Sequence, residues 1–151
     1  MTYSIEKITT LLGARRYGTK ESNIAFLLTD SRSLSFPEET LFFALRSERN
    51  DGHNYIDDLY RRGVRNFVVE TTDGISDYSD ANFLVVPSTL AALQRLAERH
   101  RDEFDIPVIG ITGSNGKTVV KEWLYQLLMP SMHVTRSPRS YNSQIGVPLS
   151  V

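Results

Sequence analysis

Apolar positions fall into two kinds of pattern along this chain. Ile5, Ile8, Leu11 and Leu12 recur at helical spacing, with Ser4 placed as cap and Gly13 as stop, which predicts a short first helix. Residues 24–29 and 41–45 are instead compact apolar runs of strand character, the second preceded by the breaker Pro37. Between them Asp30-Ser31-Arg32-Ser33 reads as a polar loop. The polar stretch 46–52 ends in Asp51-Gly52, a turn signal. Tyr55, Ile56, Leu59 and Tyr60 form a helical stripe that stops at Gly63. Residues 66–69 and 83–86 read as strands flanking a polar loop at 71–81. Pro87-Ser88 opens a helix whose buried face is Leu90, Leu93, Leu96, Ala97 and Phe104. Residues 106–112 predict another strand, interrupted early by Pro107. Residues 117–129 predict a helix carrying Val120, Trp123, Leu124, Leu127 and Leu128 on one face. The tail offers a short strand at 133–136 and then a loop rich in Ser, Pro and Asn.

Strands alternating with helices predict an α/β fold with a mostly parallel sheet. The expected boundary lies at 102–107, where a charged helix end meets an Ile-Pro step. It divides the chain into residues 1–105 and 106–151. Composition narrows the field further. The chain is 40% hydrophobic and 23% charged, as soluble globular proteins are. A net charge of −1 supplies no global basic field for nucleic acid. The absence of cysteine excludes disulfides, thiolate catalysis and cysteine-ligated zinc. The N-terminus shows no apolar run behind a basic start, and no stretch approaches the ~20 apolar residues of a membrane helix. A soluble, cytoplasmic protein is the expectation.

The strongest chemical signal is Gly110-Ile111-Thr112-Gly113-Ser114-Asn115-Gly116-Lys117-Thr118. An apolar run leads in and an amphipathic helix leads out, the context a phosphate-binding loop requires. Its glycines let backbone N–H groups turn inward around phosphate oxygens, and the helix start adds partial positive charge. Gly113, Ser114, Asn115, Gly116, Lys117 and Thr118 are the expected ATP phosphate ligands. Lys117 would act catalytically on the outer phosphates, and the Thr118 hydroxyl would hold Mg2+. The plainer reading is a glycine-rich turn with an incidental lysine, but strand, glycines, Lys-Thr and helix agree against it. The spacing departs from the common pattern, since five residues rather than four separate Gly110 from Gly116.

This variant loop resembles that of the Mur ligases, which build the peptide stem of bacterial cell-wall precursors. Folylpolyglutamate synthetases share the loop but begin close to it. Here Asp30-Ser31-Arg32, the run 41–45 and Asp51-Gly52-His53 precede it in an order resembling the uridine-nucleotide-binding domain of the later Mur ligases. That resemblance makes Ser31, Arg32, Arg46 and His53 candidate ligands of a UDP substrate, all on loops after strands. On residue chemistry alone, plainer readings compete. Asp30-Ser31-Arg32 is also a turn with a local ion pair, Asp51-Gly52 a turn before a helix, and His53 a helix-start residue. The segment 141–149 resembles the Asn-Asn-Glu-Ile-Gly-x-Pro-Leu stretch of the members that add D-alanyl-D-alanine. Asn142, Ile145, Gly146, Pro148 and Leu149 match, whereas Ser143 and Gln144 replace an asparagine and the glutamate. Asn142 and Gln144 are thus candidates for an active-site loop, with Gln144 a weaker magnesium ligand than a carboxylate.

The resemblance implies amide-bond formation. ATP with Mg2+ would phosphorylate the terminal carboxylate of UDP-N-acetylmuramoyl-tripeptide, and the amine of D-alanyl-D-alanine would displace the phosphate. Residues 1–105 would then be the UDP-sugar-binding domain and 106–151 the beginning of an ATPase domain. The alternatives are a third-residue-adding ligase of the same family, a uridine-nucleotide-binding module without catalysis, and a phosphate-loop kinase. The chain is expected to be inactive alone and to self-associate through the apolar helix face around Trp123. An alanine racemase domain following the ligase, as in some bacteria, is compatible with this reading.

Overall fold

The computed structural model describes residues 2–138, 141 and 143–150. A five-stranded sheet organises the chain, in the order β2-β7-β6-β5-β4. Strands β4 (Phe26–Leu28), β5 (Thr40–Phe43), β6 (Asn66–Val69) and β7 (Asn82–Val85) run parallel. Strand β2 (Arg15–Tyr17) adds antiparallel to the outer side of β7, with Arg16 opposite Leu84. A small second ribbon pairs β1 (Tyr3–Ser4) with β3 (Asn23–Ile24). The expected strand over 24–29 therefore divides at Ala25 into two short strands that serve different sheets.

The compact apolar runs have a simple cause, because both faces of the sheet are covered. Leu41, Phe43, Val68 and Leu84 face helices α1 (Ile5–Leu12) and α3 (Thr89–Asp102), meeting Ile5, Ile8, Leu93 and Leu96. Phe42, Phe67, Val69 and Phe83 face the other way, toward Leu59 of α2 (Ile56–Arg61) and Val64. Phe67 stacks on Phe83 at 5.1 Å and meets Phe42 edge-on at 6.4 Å, which fixes the register of three adjacent strands.

The helix-end signals act as expected, but Phe104, expected on the buried face of α3, lies beyond the helix's last residue Asp102 and is exposed. The Ser4 hydroxyl accepts the Lys7 N–H, and Gly13 ends α1 in the left-handed conformation at φ 61°. Ser88 caps α3 through the Ala91 N–H. The C-terminal end of α3 is tied to α1 by Glu103, which accepts the Tyr3 hydroxyl at 2.6 Å and the Lys7 ammonium at 2.6 Å.

Two expected strands are absent among the described residues. Residues 106–112 and 133–136 form no ladder. Ile106, Val108 and Ile109 remain 57–63% exposed. A strand needs neighbours for its N–H and C=O groups, and neither segment pairs with a strand among the described residues. Helix α4 (Lys117–Leu128) does form, but none of its residues is buried, and Trp123 is 63% exposed.

Candidate functional site

Strands β4 to β7 are parallel, so their C-terminal ends share one edge of the sheet. Asp30 to Arg32 follow β4, Arg46 follows β5, Glu70 follows β6, and Thr89 opens α3 after β7. This is the edge at which open α/β sheets bind ligands.

At its centre lies a closed polar network. Asp51 caps the 3-10 turn Gly52–Tyr55, its carboxylate accepting the His53 backbone N–H at 3.0 Å and contacting the His53 Nδ1 at 2.6 Å. Its other oxygen accepts the Arg46 Nε at 3.0 Å. Burial pushes the Asp51 carboxyl up, but the bonds from His53 and Arg46 outweigh it and hold the group below its ordinary range. The Glu70 N–H donates to His53 Nε2 at 3.0 Å. The Glu70 carboxylate accepts the Thr89 N–H at 2.8 Å, lies 3.0 Å from the Thr89 hydroxyl, and stands 3.8 Å from the Arg46 guanidinium. The buried Thr89 hydroxyl is also 3.2 Å from the Ala44 carbonyl.

Gly52 makes this packing possible. Its N–H donates to the Leu45 carbonyl at 2.8 Å, and a Cβ there would fall 2.7 Å from Ala44 and Leu45 backbone atoms. The Asp51-Gly52 pair is thus a close backbone approach as well as a turn.

Ser31 and Arg32 stand on the adjoining loop. Arg32 donates to Asp30 through Nε at 2.9 Å and a terminal nitrogen at 2.6 Å, while Arg62 donates to the Ser31 carbonyl at 2.8 Å. The Arg32 side-chain bonds and its backbone N–H lower the Asp30 pKa to about 2. The local ion pair read from the sequence is present, and it leaves the Arg32 side chain 86% exposed. Arg46 and His53 are therefore brought together in the network, whereas Ser31 and Arg32 line its flank. Sequence reasoning missed Glu70 and Thr89. The available signal was a carboxylate directly after an apolar strand, placed to meet the next helix's N-terminus.

The glycine loop lies at the start of α4. Gly113 and Gly116 adopt φ of 146° and 77°, values that favour glycine. The first helical turn has Gly116 at its cap and no side-chain cap bond, so its N–H groups are not met by a capping side chain. The Lys117 ammonium donates to the Gly113 carbonyl across the loop. Ser114, Asn115 and Thr118 are exposed. An uncapped helix start, two left-handed glycines and a lysine folded over them fit a polyphosphate and its magnesium ion. Gln144 lies elsewhere, lining a groove of about 540 Å³ against Gln94, Glu98 and Arg101 of α3, and its carbonyl accepts the Gln94 amide at 3.4 Å. Asn142 lies outside the described residues.

The model described as "Mur ligase family, catalytic domain" matches residues 23–101, just over half of the chain and all ahead of the glycine loop. UDP-N-acetylmuramoyl-tripeptide–D-alanyl-D-alanine ligase of Bacillus subtilis is 35% identical over 123 residues, covering 82% of this chain and 26% of that protein. The enzyme of the same name from Synechocystis is 38% identical over 131 residues, covering 86% and 28%. Among solved structures, MurF from Acinetobacter baumannii superposes with a TM-score of 0.90 at 27% identity, over 99% of this chain and 32% of that one. MurF ligase from Thermotoga maritima in complex with ADP gives 0.71 at 31% identity, over 93% and 29%. The chain spans about a quarter to a third of the length of these relatives. A family match over the sheet domain, agreement of fold throughout, and a glycine loop of the expected variant spacing lead to one conclusion: the chain belongs to the Mur ligase family.

Proposed function

We propose that this chain is the N-terminal portion of a cytoplasmic, ATP-dependent ligase that joins D-alanyl-D-alanine to UDP-N-acetylmuramoyl-tripeptide in peptidoglycan precursor synthesis. The observation that carries the reading is the 28–38% identity to ligases of that name, which runs through both the sheet edge and the glycine loop. On this reading residues 1–105 hold the UDP part of the substrate and residues 106–151 begin the ATP-binding domain.

ATP, when bound with Mg2+, supplies the phosphoryl group that activates the tripeptide carboxylate. The chain's own residues bind and orient. The backbone N–H groups of 113–116 would hold phosphate oxygens, Lys117 would supply positive charge to the outer phosphates, and the Thr118 hydroxyl would hold the metal. At the sheet edge Arg46 and Arg32 meet the diphosphate, and the Ser31 hydroxyl adds a donor beside them. Gln144, with Asn142 before it in sequence, belongs to the loop that follows the ATPase start.

Lys117→Ala in the full-length protein tests the assignment. The Lys117 side chain bonds to a loop carbonyl outside the core, so its loss leaves folding intact. A charge-assisted phosphate contact is worth ~1.5–3 kcal/mol in binding, and more where charge shifts in the transition state. The expected result is loss of ATP-dependent ligation at unchanged melting temperature. Near-normal turnover would refute the assignment.

A further inference from the structure

We infer that His53 is a positioning residue that locks the sheet edge, with neither ring nitrogen available to a nucleotide. This rests on the uridine-nucleotide reading of that edge. A backbone N–H only donates, so the Glu70 N–H at 3.0 Å requires an unprotonated His53 Nε2. The neutral ring then carries its proton on Nδ1, directed at the Asp51 carboxylate 2.6 Å away. Only 12% of the side chain is exposed, so the ring is held on both sides with little freedom to turn.

The consequences run outward from the ring in two directions. Asp51, fixed by His53 on one oxygen, presents the other to Arg46. Glu70, fixed through its backbone, directs its carboxylate onto the Thr89 N–H at the start of α3. The anionic ligand of that helix N-terminus is therefore the protein's own Glu70. In many α/β sheets a substrate phosphate takes that place. The charge of an incoming diphosphate then falls to Arg46, oriented between Asp51 and Glu70, and to the exposed Arg32. His53 sets where Arg46 points without touching the ligand.

The test uses the full-length protein. Long-range 1H–15N NMR of the imidazole reads the tautomer directly. The expected spectrum has Nδ1 protonated and Nε2 as an unprotonated acceptor, unmoved when UDP-N-acetylmuramoyl-tripeptide is added. A protonated Nε2, or an Nε2 resonance that follows the nucleotide titration, overturns the inference. Kinetics supply the second readout. His53→Ala is expected to raise KM for the UDP substrate on the order of tenfold, leaving kcat and the KM for ATP near wild type. His53→Gln, which keeps an acceptor for the Glu70 N–H, is expected to recover part of that loss. Arg46→Ala separates the role of His53 from the uridine-nucleotide role of the edge. If Arg46→Ala raises the UDP-substrate KM and His53→Ala does not, the positioning role is wrong. If Arg46→Ala leaves that KM unchanged, the uridine reading of the edge is itself wrong, whichever tautomer is found.

Discussion

Replacing Glu70 by alanine removes the carboxylate that receives the Thr89 N–H at 2.8 Å and faces its hydroxyl at 3.0 Å. Thr89 is fully buried, so water cannot take the carboxylate's place without the end of α3 opening. The hydroxyl keeps the Ala44 carbonyl at 3.2 Å as an alternative acceptor. The backbone N–H has no such alternative, because the Ser88 cap serves Ala91. One charge-assisted bond is worth ~1.5–3 kcal/mol, and a carboxylate at a helix N-terminus adds ~0.3–1 kcal/mol. The half-exposed Arg46 contact at 3.8 Å adds ~0–1 kcal/mol at most. Glu70→Ala is therefore expected to cost ~2–5 kcal/mol, and Glu70→Gln, which keeps the acceptor and loses the charge, ~1 kcal/mol. Urea unfolding followed by circular dichroism gives both values, and hydrogen exchange at the Thr89 amide localises the effect. An alanine variant within ~0.5 kcal/mol of wild type, the range of ordinary surface changes, would refute the network as drawn. So would a glutamine variant as damaged as the alanine one.

Asp30 should titrate near 2 by carboxyl 13C NMR and move up toward the ordinary carboxylate range in Arg32→Ala, since the Arg32 side chain is the largest cause of its shift while the residue-32 backbone N–H remains. The sign follows from the depressed value: whatever stability the pair gives is present above the unfolded carboxylate range and lost as pH falls through about 2. The pair's exposure keeps that contribution small, so no acid unfolding step should track it. Residues 1–151 produced alone should self-associate through the face carrying Trp123 and Leu127, which are 63% and 73% exposed. Light scattering that finds a monomer, or a Trp123→Glu variant that associates equally well, would contradict this.

The parts of the fold that could be read in the sequence are those whose signal is local. The caps at Ser4, Gly13 and Ser88 set helix ends by their own side chain or φ. The runs at 41–45 and 66–69 read as strands, and the structure buries both on two faces. Strand β2 could not be read, because Arg15-Arg16-Tyr17 carries no apolar alternation. It forms because β7 offers an open edge and the Arg16 guanidinium donates to the Asn82 side-chain Oδ1 at 3.1 Å. Residues 106–112 failed in the opposite sense. Their apolar character matches a strand, yet a strand is made by its neighbours, and none pairs with it among the described residues. The same contrast holds at the site. The glycine loop is one contiguous motif and was legible. The sheet-edge network joins Glu70 to Thr89 across 19 positions and His53 to Glu70 across 17, so only the folded chain shows it.

One reaction tests the ligase assignment most directly. The full-length protein, supplied with UDP-N-acetylmuramoyl-tripeptide, D-alanyl-D-alanine, ATP and Mg2+, should yield UDP-N-acetylmuramoyl-pentapeptide, with one ADP and one phosphate released per amide bond formed. Omitting D-alanyl-D-alanine should stop product formation. Ligation of a single amino acid to the corresponding dipeptide precursor, with D-alanyl-D-alanine ignored, would contradict the account and assign the chain to a third-residue-adding ligase.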